Sequence, residues 1–232
     1  VSTDVRIDPE VSTITVDGAS VEVLSLLLGG VPRGAAVVLA GPDGLDGIGA
    51  VETMNSLAQH GYESVLVSDD GDVAVVDALV ALLAERDWED EQIGLIGYGQ
   101  GARTVLEAAA GRAYGAAVSI PREPRQLLVP EPITALRTAW LGMVGQGEHR
   151  GLPSALAAYR DDLEDRAHEY TRIVGYPGAE HALRDSTRPR EHAAAFDAWQ
   201  RTAEWLNKRV APRPTPFAQI WRERQRSHQP TS

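Results

Sequence analysis

The chain has 232 residues and no cysteine, which excludes disulfides, thiolate metal sites, iron–sulfur ligation and a cysteine nucleophile. Hydrophobic residues make up 43%, enough for a packed interior, and the length suits one domain around a single core. A net charge of −11 repels a phosphate backbone over most of the surface, so nucleic acid is not an expected partner.

Residues 11–16 (VSTITV) and 20–27 (SVEVLSLL) alternate as strands do, and Asp17-Gly18 between them is a hairpin signal. Val23–Gly30 is the most apolar stretch and falls far short of the roughly 20 residues that span a bilayer, so no membrane partner is expected. The N-terminus shows no basic-then-apolar leader, and the expected location is cytoplasmic. Ala35–Ala40 (AAVVLA) is a continuous apolar run of the kind found in strands buried on both faces. A helix is predicted from about Ile48 to His60, a strand over Ser64–Ser68, and a helix over Asp72–Arg86 with Val76, Leu79, Val80 and Leu83 on one side.

The alternation continues with a strand at Ile93–Ile96, a helix at Ala102–Ala110, and strands at Ala116–Ile120 and Thr138–Val144. Next come a helix at Leu152–His168, a strand at Tyr170–Val174 and a long helix at Arg190–Val210. Such alternation predicts an α/β fold with a mostly parallel central sheet, helices on both faces and the N-terminal hairpin as an antiparallel edge. The reading divides the chain into a domain over residues 1–211 and a Pro-rich, basic C-terminal arm over residues 212–232. In the arm, Phe217, Ile220 and Trp221 are expected to anchor on the body or, less simply, on a protein partner.

The most informative stretch is Ile93-Gly94-Leu95-Ile96-Gly97-Tyr98-Gly99-Gln100-Gly101-Ala102. An apolar strand runs into alternating glycines and then a helix. This is the context of the G-x-S-x-G nucleophile elbow, in which flanking glycines let strand and helix approach around a strained turn. Here the centre is Gly99, which has no nucleophilic atom. Two other readings stay open at this point. One is a dinucleotide loop of the G-x-G-x-x-A form, although the next strand closes on Ser119-Ile120-Pro121 without the acidic residue such a site needs. The other is a plain strand-to-helix turn.

In ordered set, the chain resembles the dienelactone hydrolase family, a branch of the α/β-hydrolases, over roughly residues 30–210. The segments that carry the resemblance are Val31–Ala40 with Gly44-Leu45, Leu57–Tyr62, Ile96–Gly101, Gly145–Glu148, Tyr176–Ala182 and Ala194–Trp205. The resemblance implies an α/β-hydrolase fold and a triad of nucleophile, acid and histidine. By position the nucleophile site is Gly99, the acid site Glu148 and the histidine site His181. Glu148 stands where the family has Asp, and a solvated loop carboxylate is the competing reading of it; His149 beside it is expected to be exposed.

Several departures from the family pattern bear on chemistry. Without Oγ or Sγ at position 99 no acyl-enzyme forms. The oxyanion donors implied by the family are the backbone N–H of Gln100 and one from the loop Gly41-Pro42-Asp43-Gly44. There the donor position falls on Pro42, beside Asp43, and proline has no N–H. Gly41 stands where relatives place an acidic residue. Ser68 and Ser119, near strand ends, are the candidates for a replacement nucleophile.

The function expected is therefore a dienelactone hydrolase-like protein that is catalytically degenerate, a pseudoenzyme with a small ester or lactone as ligand. The alternative is an ester or lactone hydrolase, or a lyase or isomerase, that uses His181 without a covalent nucleophile. The six histidines form no metal-ligand pattern, so no metal or cofactor is expected.

Overall fold

The structure, a computed structural model, describes residues 6–41, 47–68, 72–128, 136–147, 152–166, 170–179, 188–214, 217, 220 and 221. Its strands are β1 (Glu10–Val16), β2 (Ala19–Leu26), β3 (Gly34–Leu39), β4 (Tyr62–Val67), β5 (Ile93–Tyr98), β6 (Ala116–Ile120), β7 (Trp140–Gly145) and β8 (Thr171–Tyr176). Its α-helices are α1 (Gly47–Gln59), α2 (Val73–Ala84), α3 (Gly101–Gly111), α4 (Ser154–Arg166) and α5 (Pro189–Arg209). The strands form a single eight-stranded sheet in the order β1-β2-β4-β3-β5-β6-β7-β8. β1 pairs with β2 and β2 with β4 in antiparallel fashion, and every pairing from β4 through β3 to β8 is parallel. The leading hairpin is thus the antiparallel edge that the sequence predicts.

The hairpin closes as its Asp-Gly pair requires. Asp17 and Gly18 have φ of 49° and 81°, and Val16 pairs with Ala19 across them. Two positive φ values match the twist of the flanking strands, which is why Asp-Gly suits the position.

The central strands are buried on both faces, and their side chains divide strictly between two layers. Along β3, Ala35, Val37 and Leu39 join one hydrophobic cluster, while Ala36 and Val38, with Ala40 just beyond, join the other. The first cluster includes Val76, Leu79 and Leu83 of α2, Val105 of α3 and Leu156 of α4. The second includes Met54 and Leu57 of α1 with Ala198 and Leu206 of α5. A strand period of two explains the split, and helix on both faces explains why no polar residue is needed along β3.

Helix ends follow local chemistry. The Asp72 side chain accepts from Val75 N at 3.2 Å and caps α2. Pro189 opens α5, and Lys208 and Arg209 close it, where cations complement the helix dipole. Two strand boundaries differ from expectation for visible reasons. β5 runs on to Tyr98 because Gly97 and Tyr98 still pair with Ser119 and Ile120. β7 starts at Trp140 rather than Thr138, because the backbone N–H groups of Arg137 and Thr138 donate to Ala109 O at the end of α3, at 3.0 and 3.1 Å, instead of to a neighbouring strand.

One buried charge fastens the loops beneath the sheet. Glu63 of β4 is 1% exposed. It accepts from Arg86 Nη2 at 2.8 Å, Arg86 Nε at 3.2 Å, Trp88 Nε1 at 3.1 Å and Leu28 N at 3.1 Å. The carboxylate therefore joins the segment after β2 to the segment after α2. Arg213 extends the same cluster: its guanidinium lies 4.0 Å from the Trp88 ring centroid, and its backbone N–H donates to Arg33 O at 3.0 Å. Beyond that tie, Phe217, Ile220 and Trp221 do not pack on the body as expected; they are 78%, 49% and 56% exposed. The last hold on the body among the described residues before them is at Arg213.

Candidate functional site

The turn between β5 and α3 is built from close backbone contacts. A Cβ on Gly97 would lie 2.2 Å from Gly101 O, and one on Gly101 would lie 2.6 Å from Leu39 O and 2.7 Å from Leu39 Cβ. Real Cβ contacts are never so short, so only glycine lets β5, α3 and β3 converge here. At the apex Gly99 has φ +56°. Its N–H donates to Ile120 O at 3.0 Å, and its carbonyl accepts from Ala102 N at 3.3 Å. These bonds hold the left-handed conformation in place. The turn is therefore a nucleophile-elbow geometry with no side chain at its apex.

Gln100 follows as the N-cap of α3, in helical geometry and exposed. Its carbonyl accepts from Arg103 N at 3.0 Å, and its own N–H has no backbone acceptor among the described residues. A helix start leaves its first N–H groups without intrahelical acceptors, which suits an oxyanion donor. Gly41, just after β3, has φ +54°, and a Cβ on it would lie 3.1 Å from Tyr98 O and 3.4 Å from both Gln100 N and Gly101 N. The chain leaving β3 thus lies directly against the elbow. Pro42 and Asp43, which come next, lie outside the described residues.

Glu148 and His181 also lie outside the described residues, but the segments that lead to them are described. They leave the adjacent strand ends of β7 and β8. Gln146 N donates to Tyr176 O at 3.0 Å, Gly147 N to Ala179 O at 3.0 Å, and Gly178 N to Gly147 O at 2.6 Å. The residue before Glu148 and the residue two before His181 are thus joined by a hydrogen bond. Both segments stand at the carboxyl end of the sheet, as the elbow does, where parallel α/β sheets bind ligands.

Three features at this end escaped the sequence reading. Gln146 is only 9% exposed, with Oε1 lacking a partner among the described residues, and a Cβ on Gly175 would fall 2.0 Å from its Nε2. The glycine of β8 is the room that the amide needs. Tyr176 Oη donates to Asp197 Oδ2 at 2.8 Å, and Arg201 Nε donates to the same oxygen at 2.6 Å. Arg201 holds the Asp197 carboxyl below the usual carboxylate range, while burial, ahead of the neighbouring carboxylate, pushes the Tyr176 phenol up. This trio fastens the end of β8 to α5. Finally, burial raises the Tyr98 phenol to about 12 despite a hydrogen bond with Thr53, so the elbow residue before Gly99 is a neutral anchor. Only the aromatic character of Tyr98 was visible beforehand; its partner on α1 depends on the fold.

Neither alternative serine fits a nucleophile. Ser119 is fully buried; its Oγ donates to Ala102 O at 2.7 Å and accepts from Trp140 Nε1 at 2.9 Å. Ser68 is exposed after β4, two strands away from β5. At the usual spacing of strands that separation is roughly 10 Å.

No helix among the described residues is long and apolar enough to cross a membrane. The model of the dienelactone hydrolase family matches residues 49–210. No curated protein matches. Among solved structures, a Klebsiella pneumoniae protein assigned as a dienelactone hydrolase is 20% identical, with a TM-score of 0.65, over 86% of this chain and 98% of that one. An α/β serine hydrolase homologue from Coxiella burnetii is 16% identical, with a TM-score of 0.61, over 85% and 97%. The esterase domain of a Rhodothermus marinus protein is 15% identical, with a TM-score of 0.63, over 88% and 100%. At these identities the solved structures establish the α/β-hydrolase fold. With the family match covering most of the length, the chain belongs to the dienelactone hydrolase family.

Proposed function

We propose that this family member has given up covalent acyl transfer and retains its site for binding a small ester or lactone. The observation that carries the reading is Gly99 at the apex of the elbow, with φ +56° and no side chain. In the family's reaction a side chain at this position attacks the carbonyl, and two N–H groups hold the oxyanion. Here the first function is absent by composition. The Gln100 N–H supports one half of an oxyanion hole. The other half is compromised by Pro42, whose nitrogen carries no hydrogen. Loss of one such donor alone lowers rate by roughly 10²–10³.

The fixed geometry of Ser119 supports the same reading, since that hydroxyl is already spent on Ala102 and Trp140. What remains is Glu148 and His181 on segments whose flanks are hydrogen bonded together. In this reading they line the ligand site, residues 1–211 form the hydrolase-fold domain, and residues 212–232 form a separate arm.

The test is turnover of 4-nitrophenyl acetate and labelling by a fluorophosphonate. The wild-type chain should show neither. Gly99→Ser should gain labelling, and the gain should vanish in Gly99→Ser with His181→Ala. Wild-type turnover above buffer that His181→Ala abolishes would overturn the reading in favour of nucleophile-free hydrolysis.

A further inference from the structure

At the end of the molecule opposite the elbow lies a cavity of about 550 Å³, beside the amino ends of the parallel strands. Its wall includes Val31, Asp87, Glu89, Glu91, Pro212 and Pro214. Val31 is 58% exposed, and the two prolines continue its apolar surface. Asp87, Glu89 and Glu91 have no ion-pair partner among the described residues, because the nearby cations are engaged elsewhere. Arg86 is bound to Glu63, Arg112 to Asp90, and Arg213 lies on Trp88. The cavity thus combines apolar surface with the three carboxylates of Asp87, Glu89 and Glu91 against the one guanidinium of Arg213, a net negative charge.

The chain leaves the body through this same wall. Past Pro214, Phe217, Ile220 and Trp221 are helical and exposed, and in the sequence their i, i+3, i+4 spacing is that of one helix face. Arg222, Arg224 and Arg226 follow, with Glu223 as the only acid among them. This arm is apolar and cationic where the cavity is apolar and anionic, and the single copy leaves its stripe uncovered.

We propose that the cavity receives the C-terminal arm of a second copy of this chain, in reciprocal exchange about a two-fold axis. Because Pro214 is part of the cavity wall, each arm starts beside the cavity that its partner's arm fills. One axis next to Pro214 therefore satisfies both contacts, as an isologous interface requires. Whole chains of net charge −11 repel one another, so the basic arm supplies the attraction that brings them together. The interface is correspondingly sensitive to salt. It is independent of any chemistry at Gly99.

The test is sedimentation of the full chain. The expected mass is twice 25.0 kDa, falling to one copy when the chain is truncated after Pro214. Glu89→Lys with Glu91→Lys should weaken self-association at least tenfold, and Arg222→Glu with Arg224→Glu and Arg226→Glu should do the same. Mixing the two charge-reversed chains should restore a dimer, because each arm then meets a cavity of opposite sign. Thermal melting establishes that each variant is folded, and the truncation reports independently where a charge variant is not. A monomeric full chain, a dimer that survives truncation, or folded charge variants that fail to pair when mixed would each overturn the proposal.

Discussion

Replacing Gly99 by alanine tests the geometry of the elbow without adding chemistry. The residue sits at φ +56°, and two backbone hydrogen bonds, to Ile120 O and from Ala102 N, hold it there. A side chain in left-handed geometry costs about 1–2 kcal/mol, because Cβ crowds the following carbonyl. Relaxing the backbone would break one of those bonds instead, at a similar cost of about 1 kcal/mol. For a domain of this size each kcal/mol shifts the midpoint by about 2–4 °C, so Gly99→Ala should lower Tm by roughly 2–8 °C. Gly111→Ala serves as the control in the same scanning calorimetry. It lies at the end of α3, where an added Cβ meets nothing within 4 Å. Alanine's better helix propensity, worth up to about 1 kcal/mol, should there leave Tm unchanged or raise it by up to about 4 °C. If Gly99→Ala melts at or above wild type while Gly111→Ala behaves as expected, the strained-elbow reasoning is wrong.

Gly97→Ala should be far more damaging, because its Cβ would sit 2.2 Å from Gly101 O, a backbone atom with little freedom to move. Urea unfolding should show a loss above about 3 kcal/mol, beyond the ordinary range for one substitution. Glu63→Ala leaves the Leu28 and Trp88 N–H groups without their acceptor, whereas the Arg86 side chain, 42% exposed, can turn to water. The expected cost is about 2–3 kcal/mol, with Glu63→Gln milder in the same urea titration. Tyr98 has a folded-state pKa of about 12, raised by burial. Its contribution is intact below the unfolded value of about 10 and is lost as pH rises through the folded one. Tyr98→Phe should therefore flatten part of the fall in urea midpoint between pH 10 and 12, and an unchanged slope would count against the assignment.

The sheet was legible because its signals are local. Asp17-Gly18 specifies its turn through two positive φ values, and Ala35–Ala40 announces a doubly buried strand by lacking any polar residue. The elbow was legible for a related reason: glycine at alternate positions between an apolar strand and a helix has few other uses. The strand order was not legible. β3 lies between β4 and β5 because of how the crossover connections pack, and that is a property of the whole sheet.

The sequence by itself settled that position 99 carries no side chain. A chain without cysteine, and with Gly99 at the centre of Gly97-Tyr98-Gly99-Gln100-Gly101, has no thiol or aliphatic hydroxyl at that turn in any conformation, and the Tyr98 phenol is its one hydroxyl. Only the tertiary structure decided what surrounds it. It buried Ser119 between Ala102 and Trp140, residues 17 and 21 positions away in the chain, and so removed a serine that sequence left open. It joined Gly147 to Ala179 and set Phe217, Ile220 and Trp221 in solvent beyond an acidic cavity. Which atoms a side chain carries is a matter of composition, but which partners occupy it depends on long-range packing, and no local pattern encodes that.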